Sequence, residues 1–454
     1  MRRIGKGLGA STLGQGTSVA SRLLEVPLAL AFWGIETYGV WLILTVIPTM
    51  LVASDFGVAT VANRVMAREI NSGRRDETVV TYQTTAVFSL MASLVLSAAA
   101  IGLFATGLLQ PLLGLAGRVD WLTTVLVVAL LSGRVLAQMI SRVSQAGLFC
   151  VGEYPRGMLY TGAGEALKLV ALFSVMAAGG GLVAAAALQL TVAVVMAIAL
   201  QRSVGRHAPW LAMGVRRASW AKLRELSKPA MASFSIGISR AINYALPRVV
   251  VAAFGGPVAT TIFHAHRQFA RLINFMIVFG GAFRAEMALT YGRDDDRVFR
   301  ELAARTVQLF VWLSLASAAA VAILATAFFG FWTRGAFPLD GLLLALLVAT
   351  TLSEAFGSSA LLPVAAINRH GSVASTFFVA NAAAFAAAVP LTHFFGLYGM
   401  AAALLFVDAA TTVRTYLVLA DVLQQGFFRT VSLALRPPLW IIQMGRKALP
   451  QRFR

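Results

Sequence analysis

The chain has 454 residues, 58% hydrophobic and only 13% charged, where a soluble domain carries roughly 25%, and its mean hydropathy is +0.77, which marks a polytopic membrane protein. A net charge of +19 would suit nucleic acid, but the basic residues lie in short segments between long apolar runs, which excludes a soluble nucleic-acid-binding domain. The single cysteine, Cys150, excludes an internal disulfide framework and a cysteine-only metal site, and the five histidines lack zinc spacing, since on a helix His264 and His266 point to nearly opposite sides.

Met1-Arg-Arg-Ile-Gly-Lys opens the chain on a basic note, but the apolar run after it suits a first span better than a cleavable signal peptide. Apolar segments of roughly 20 residues predict twelve spans, at about 11–33, 38–61, 79–106, 121–146, 158–178, 181–201, 229–254, 258–283, 303–330, 341–366, 372–394 and 397–420. In span 1, Ser11, Gln15, Ser18, Arg22 and Glu25 share one helix face. Span 3 is long enough to be tilted or broken. In span 4, Arg134, Gln138, Ser141 and Gln145 form a second polar stripe, and in span 5 Glu165 and Lys168 are spaced to neutralise each other. Span 7 carries Arg240, Tyr244 and Arg248 at four-residue steps, with Pro247 loosening the helix beside them. Span 8 carries His264, Arg267, Arg271 and Asn274 at 3-4-3 spacing. The tail after residue 420 mixes apolar and basic residues, is broken by Pro437-Pro438 and is too short to span, so it is expected on the inner leaflet.

Lys and Arg gather on one side: at the N-terminus, in the loops 62–78, 147–157, 202–228, 284–302 and 367–371, and in the tail. The other side has only Arg118 and Arg334. By the positive-inside bias both termini are cytoplasmic. The outer loops are tiny, which argues against a polytopic glycosyltransferase or polymerase.

The chain also repeats itself at a long period. Asp55-Phe56 matches Asn274-Phe275, Gly73-Arg-Arg-Asp-Glu77 matches Gly292-Arg-Asp-Asp-Asp296, and Gly181-Leu-Val-Ala-Ala-Ala-Ala-Leu188 matches Gly399-Met-Ala-Ala-Ala-Leu-Leu405, at offsets that scarcely change. The expected fold is therefore all-α, with about twelve transmembrane helices in two parallel-repeat six-helix bundles, the plan of transporters that rock two bundles around a central site. The N-terminal bundle occupies 1–201, a basic cytoplasmic linker 202–228, the C-terminal bundle 229–420 and a basic amphipathic tail 421–454.

The spans keep Arg22, Arg134, Arg142, Lys168, Arg240, Arg248, Arg267, Arg271 and Arg414 against only Glu25, Asp55, Glu165, Glu354 and Asp408. A charge at a span's centre costs at least about 2.5–3.5 kcal/mol, so the excess of cations points to a wet cavity that takes an anion. Clustered arginines offer planar, permanently charged donors for phosphate or pyrophosphate. Interhelical pairing is the plainer alternative: Glu25 is placed to hold Arg22, and Glu354 stands at the repeat equivalent of Arg134.

Glu36-Thr-Tyr-Gly-Val-Trp41, Ser54-Asp-Phe-Gly-Val58, Ala67-Arg-Glu-Ile-Asn-Ser-Gly73, Ile367-Asn-Arg-His-Gly371 and Gly396-Leu-Tyr-Gly-Met-Ala-Ala-Ala403 resemble the pattern of polysaccharide-biosynthesis flippases, the Wzx-type branch of the MOP superfamily, which also holds the MATE drug exporters and lipid II flippases. The resemblance covers most of the chain through short, degenerate motifs. It implies a bacterial inner-membrane flippase that moves a polyprenyl-pyrophosphate-linked oligosaccharide outward by alternating access for O-antigen or exopolysaccharide assembly. Its partners would be that glycolipid, membrane lipids and a polysaccharide polymerase. No catalytic residue, metal or cofactor is expected.

The candidate pyrophosphate and sugar residues are Arg22, Arg134, Arg240, Arg248, Arg267, Arg271, Gln138, Tyr244 and Asn274, with Trp41 a further sugar contact. Glu25, Asp55, Glu354 and Asp408 are candidates for ion coupling or salt bridges. Span 7 of such relatives often bears an acid, whereas here the region reads Tyr244-Ala-Leu-Pro-Arg248, which counts against ion coupling through an acid in span 7. A MATE-like drug or cation antiporter and a lipid II flippase are the alternatives, the second usually with two more spans. Asp294-Asp-Asp296 would serve a membrane enzyme, but it reads better as acids opening a helix.

Overall fold

The computed structural model describes residues 23–52, 56–274, 280–291, 296–367, 369 and 371–440, without the side chains of 228, 232, 233, 235–237, 240, 281, 282 and 285. Those residues form helices and no strand. In chain order they are α1 (Leu23–Phe32), then α2 (Gly34–Leu44), α3 (Val46–Leu51), α4 (Val58–Asn71), α5 (Arg75–Ala105), α6 (Leu109–Leu112), α7 (Trp121–Cys150), α8 (Tyr154–Ala177), α9 (Leu182–His207), α10 (Trp220–Ala270), α11 (Gly280–Tyr291), α12 (Asp296–Trp332), α13 (Gly341–Ala366), α14 (Gly371–Leu423) and α15 (Phe427–Leu435).

Local chemistry sets the ends. Asp120 and Asp340 cap α7 and α13, accepting from the Thr123 and Leu343 amides at 3.1 and 3.0 Å. Asp296 opens α12 and pairs with Arg300 at 3.2 Å, the helix-start role expected of that acidic run, whose residues 294 and 295 lie outside the described set. Glycines in the left-handed region follow α5, α7 and α8 at Gly107, Gly152 and Gly179, where a side chain would be strained.

Nine stretches among the described residues are long and apolar enough to cross a membrane. Two of them hold a backbone break, at Gly256 within α10 and Gly396 within α14. Each break separates two predicted spans, and α1 is the described end of the first, so the helices follow the twelve-span plan of a multi-pass membrane protein. Span 3 is one unbroken helix of 31 residues. α10 runs helically through Pro247 and breaks only at Gly256, so the proline does not interrupt span 7.

The chain turns back on itself at Gly396. A Cβ on Gly399 would lie 1.9 Å from the Leu391 carbonyl oxygen, an approach that a continuous helix could not make across eight residues. A Cβ on Gly39 would lie 2.1 Å from the Pro257 carbonyl oxygen. Gly39→Ala and Gly399→Ala are therefore expected to lower the yield of folded protein severely, whereas Gly102→Ala, with open space at its Cβ, leaves it unchanged. Size-exclusion profiles of the three variants in detergent test this.

The described residues fall in two compact units, one within Met1–Ala265, Gly330–Pro338 and Phe385–Met400, the other within His266–Phe329, Leu339–Ala384 and Ala401–Arg454. The first packs Met66, Tyr82, Val143, Leu148 and Val204 together with Leu211 of the linker and Leu226 of α10. The second packs Phe299, Val307, Val364, Tyr416 and Leu419 with Ala434 of α15.

At the basic end of the first unit, Glu69 is only 2% exposed. It accepts the Thr81 hydroxyl at 3.0 Å and pairs with Lys222 at 2.9 Å, and Lys222 also reaches Glu225 at 3.1 Å. Burial pulls the Lys222 ammonium down, but hydrogen bonds and charge from Glu69 and Glu225 outweigh it and leave it above the ordinary lysine value. A group raised on folding stabilises fully below its unfolded value and loses that contribution as pH climbs through the folded one. Lys222→Met strands a buried carboxylate and is expected to destabilise by about 3–5 kcal/mol. The loss in thermal melts should be constant from neutral pH to pH ~9 and shrink above the ordinary lysine range.

Candidate functional site

A half-open cavity of about 350 Å³ lies within the first unit among α7, α8 and α9. α7 carries Arg134, Gln138, Ser141, Arg142 and Gln145 into it at helical steps, α8 adds Thr161, Glu165 and Lys168, and α9 adds Gln189. Three cations thus face one carboxylate. Glu165 pairs with Lys168, and Arg134 donates to the buried amide oxygen of Gln189. Arg142 donates to the Val52 carbonyl at 3.2 Å, and Gln145 to Gly157 O at 3.1 Å and to Thr161.

Two features suit this cavity to a ligand that carries both an anionic group and hydroxyl donors. Its fixed charge is positive, and an apolar wall around arginine strengthens the attraction for a charged ligand. Gln138 Oε1 is buried with no hydrogen-bond partner among the described residues, and such atoms normally find one. Guanidinium groups beside amides and hydroxyls are the donors and acceptors that a phosphate next to a sugar requires.

Other candidates lie elsewhere in the same unit. Arg134 feels the charges of Glu165 and Glu25. Tyr38, wholly buried, lies within reach of the Glu25 and Arg248 charges. Tyr244 is part-buried on α10. Trp41 is 1% exposed and packs edge-on against Trp33 at 5.6 Å, so it is a core residue and not a sugar contact. Arg22 and Asp55 lie outside the described residues, as does the side chain of Arg240.

The second unit gathers a different set. Arg271 faces Glu354 at 3.6 Å, and Asn274 donates to the other oxygen of Glu354 at 3.0 Å. Asp408, 6% exposed, lies in the field of Glu354, Arg267 and Arg271, and Arg267 is itself only 9% exposed. Two arginines and two acids thus gather here, and Arg271 with Glu354 realises the pairing alternative on this side. Repeat-equivalent Arg134 and Glu354 end in different surroundings, one in a cationic cavity and the other in a mixed cluster. Among the described residues no His, Cys, Asp and Glu cluster could hold a metal. His266 instead accepts the Asp340 amide at 3.0 Å.

Gln189 is the site residue that charge counting misses. Its signal is a single amide within the Ala-rich run 182–200, and an amide does not register in a tally of ions.

No protein-family model and no curated protein matches the chain. Solved structures do. An inward-facing multidrug resistance MATE family transporter of the MOP superfamily superposes with a TM-score of 0.69 at 17% identity, over 93% of this chain and 94% of that one. A MATE protein in complex with MaL6 gives 0.63 at 17% identity, over 94% and 96%. A MOP superfamily transporter from Pyrococcus furiosus, whose reverse polarity of binding pocket was taken to suggest a different function, gives 0.64 at 16%, over 95% and 96%. The fold is that of the MATE transporters. At these identities the likeness carries the fold alone. The α7–α9 cavity of this chain is positive in sign.

Proposed function

We propose that the protein is a flippase that carries a polyprenyl-pyrophosphate-linked oligosaccharide across the cytoplasmic membrane for surface polysaccharide assembly. The observation that carries this reading is the cationic, amide-lined cavity around Arg134, Gln138 and Gln189. Arg134 would hold the pyrophosphate by a charge-assisted fork, while Gln138 and Gln145 would meet sugar hydroxyls. The transporter fold supports movement of cargo rather than chemistry on it. Alternating access would pass the head group without exposing it to hydrocarbon. Of the remaining sequence candidates, Arg22, Arg240, Arg248 and Tyr244 keep supporting places in the proposal, whereas Arg267, Arg271 and Asn274 gather with Glu354 and Asp408 in the second unit. A polymerase partner follows only from the resemblance.

The second reading is a MATE-like drug or cation antiporter, favoured by the buried carboxyl of Asp408 and the part-exposed Glu354 beside Arg271. Proteoliposomes separate the two. With a fluorescent polyprenyl-pyrophosphate glycan in one leaflet, the flippase reading expects the probe to become accessible in the other faster than in empty vesicles. Ethidium extrusion without glycolipid movement would overturn it in favour of the antiporter.

A further inference from the structure

The same device fastens the chain after the last helix of each half. In the first unit, Gln83 of α5 donates to the Ala212 carbonyl at 3.0 Å and accepts the Arg217 amide at 2.9 Å, while the Arg75 guanidinium lies 5.6 Å from the Trp210 ring centre. In the second unit, Gln308 of α12 donates to the Leu433 carbonyl at 3.0 Å and accepts the Trp440 indole N–H at 3.2 Å, while Arg305 lies 5.6 Å from the Trp440 ring centre. One glutamine thus acts as both donor and acceptor, and one arginine sits over one tryptophan, in each. The segments 208–219 and 427–440 are straps held against the basic ends of membrane helices rather than loose connectors.

The straps' outer faces combine basic and apolar side chains that soluble surfaces rarely join. On the first, Trp220 is 78% exposed beside exposed Val215, Arg216 and Arg217. A cavity of about 340 Å³ there is lined by Arg75, Gln83, Trp210 and Arg217, with Asp76 pairing Arg217 at 2.7 Å. On the second, α15 turns Thr430 and Ala434 inward and leaves Phe428 85% exposed, with Leu435, Arg429 and Arg436 on the same outer side. Tryptophan and arginine at the ends of membrane helices are the usual partners of the headgroup layer, and a basic helix with an apolar outer face lies in that layer.

We propose that both straps are docking sites for anionic phospholipid of the leaflet adjoining the basic loops. The headgroup phosphate meets Arg75 and Arg217 on the first strap and Arg429 and Arg436 on the second, while Trp220, Val215, Phe428 and Leu435 enter the acyl boundary. The proposal stands apart from the cavity around Arg134 and survives if the cargo is something else.

The test is native mass spectrometry of the full-length protein from mixed micelles of phosphatidylglycerol and phosphatidylcholine in equal amounts, without cargo. The expected result is preferential retention of phosphatidylglycerol. R75Q with R217Q, and separately R429Q with R436Q, should each lower that retention by about fivefold per arginine removed and leave phosphatidylcholine unchanged. Lysine at the same positions should preserve it, and millimolar inorganic phosphate should not displace the lipid. Equal retention of the two lipids, undiminished retention in the glutamine variants, or displacement by free phosphate each contradicts the proposal. Should a glutamine variant not fold, a salt titration of the wild type decides, because headgroup pairing weakens with ionic strength and salt-independent retention would overturn it.

Discussion

Arg134→Gln should weaken binding of a polyprenyl-pyrophosphate glycan by about tenfold to a hundredfold, the worth of a charge-assisted hydrogen bond of roughly 1.5–3 kcal/mol. Two features make this effect large. Arg134 lines the α7–α9 cavity, and Gln189 already holds its guanidinium in place, so little ordering remains to be done when the ligand arrives. Arg134→Lys keeps the charge but loses the planar fork, and is expected to fall between the two. Gln189→Leu removes only the positioning contact and should cost a few-fold. Melting temperatures should hardly move for Arg134→Gln, because the change removes a cation from an apolar span. Titration of the purified variants with labelled glycolipid, beside thermal melts, checks both halves of the expectation. Loss of binding that tracks loss of fold would mean that Arg134 is structural.

Asp408→Asn should instead act on stability. Its side chain lies almost wholly buried in the field of Glu354, Arg267 and Arg271, and if it serves as counter-ion to Arg267, neutralising it leaves an uncompensated buried cation. Breaking such a group from one side costs about 3–5 kcal/mol, while removing both signs together is often close to neutral. Arg267→Gln combined with Asp408→Asn should therefore recover much of the stability lost by either alone, a coupling that a double-mutant cycle on chemical or thermal unfolding measures. An ion-coupling role predicts another outcome: Asp408→Asn would keep its melting temperature and lose the dependence of transport on a proton or sodium gradient.

Much of the architecture is legible in the sequence because membrane helices announce themselves by length and hydropathy. The breaks at Gly256 and Gly396 fall between spans that hydropathy alone separates. The polar stripe Arg134-Gln138-Ser141-Gln145 can be read because helical spacing alone puts it on one face, and it does line one cavity.

What the sequence conceals is pairing over distance. Arg267 and Arg271 read as free cations because Glu354 and Asp408 stand in later spans and nothing local links them. Gln189 and Gln83 are single amides without charge or period, yet one positions Arg134 and the other fastens the linker. Glu69 sits in what reads as a basic loop, and only the return of Lys222 from the linker makes it a buried ion pair. Trp41 lies in a motif that suggests recognition, and its neighbours turn it into core.

The most direct measurement is equilibrium binding of a polyprenyl-pyrophosphate oligosaccharide to the purified protein, run beside ethidium under the same conditions. The flippase account predicts that the glycolipid binds saturably, that free pyrophosphate competes with it, and that ethidium does not. Saturable ethidium binding that the glycolipid fails to displace would contradict it and make the cation antiporter the better account of this fold.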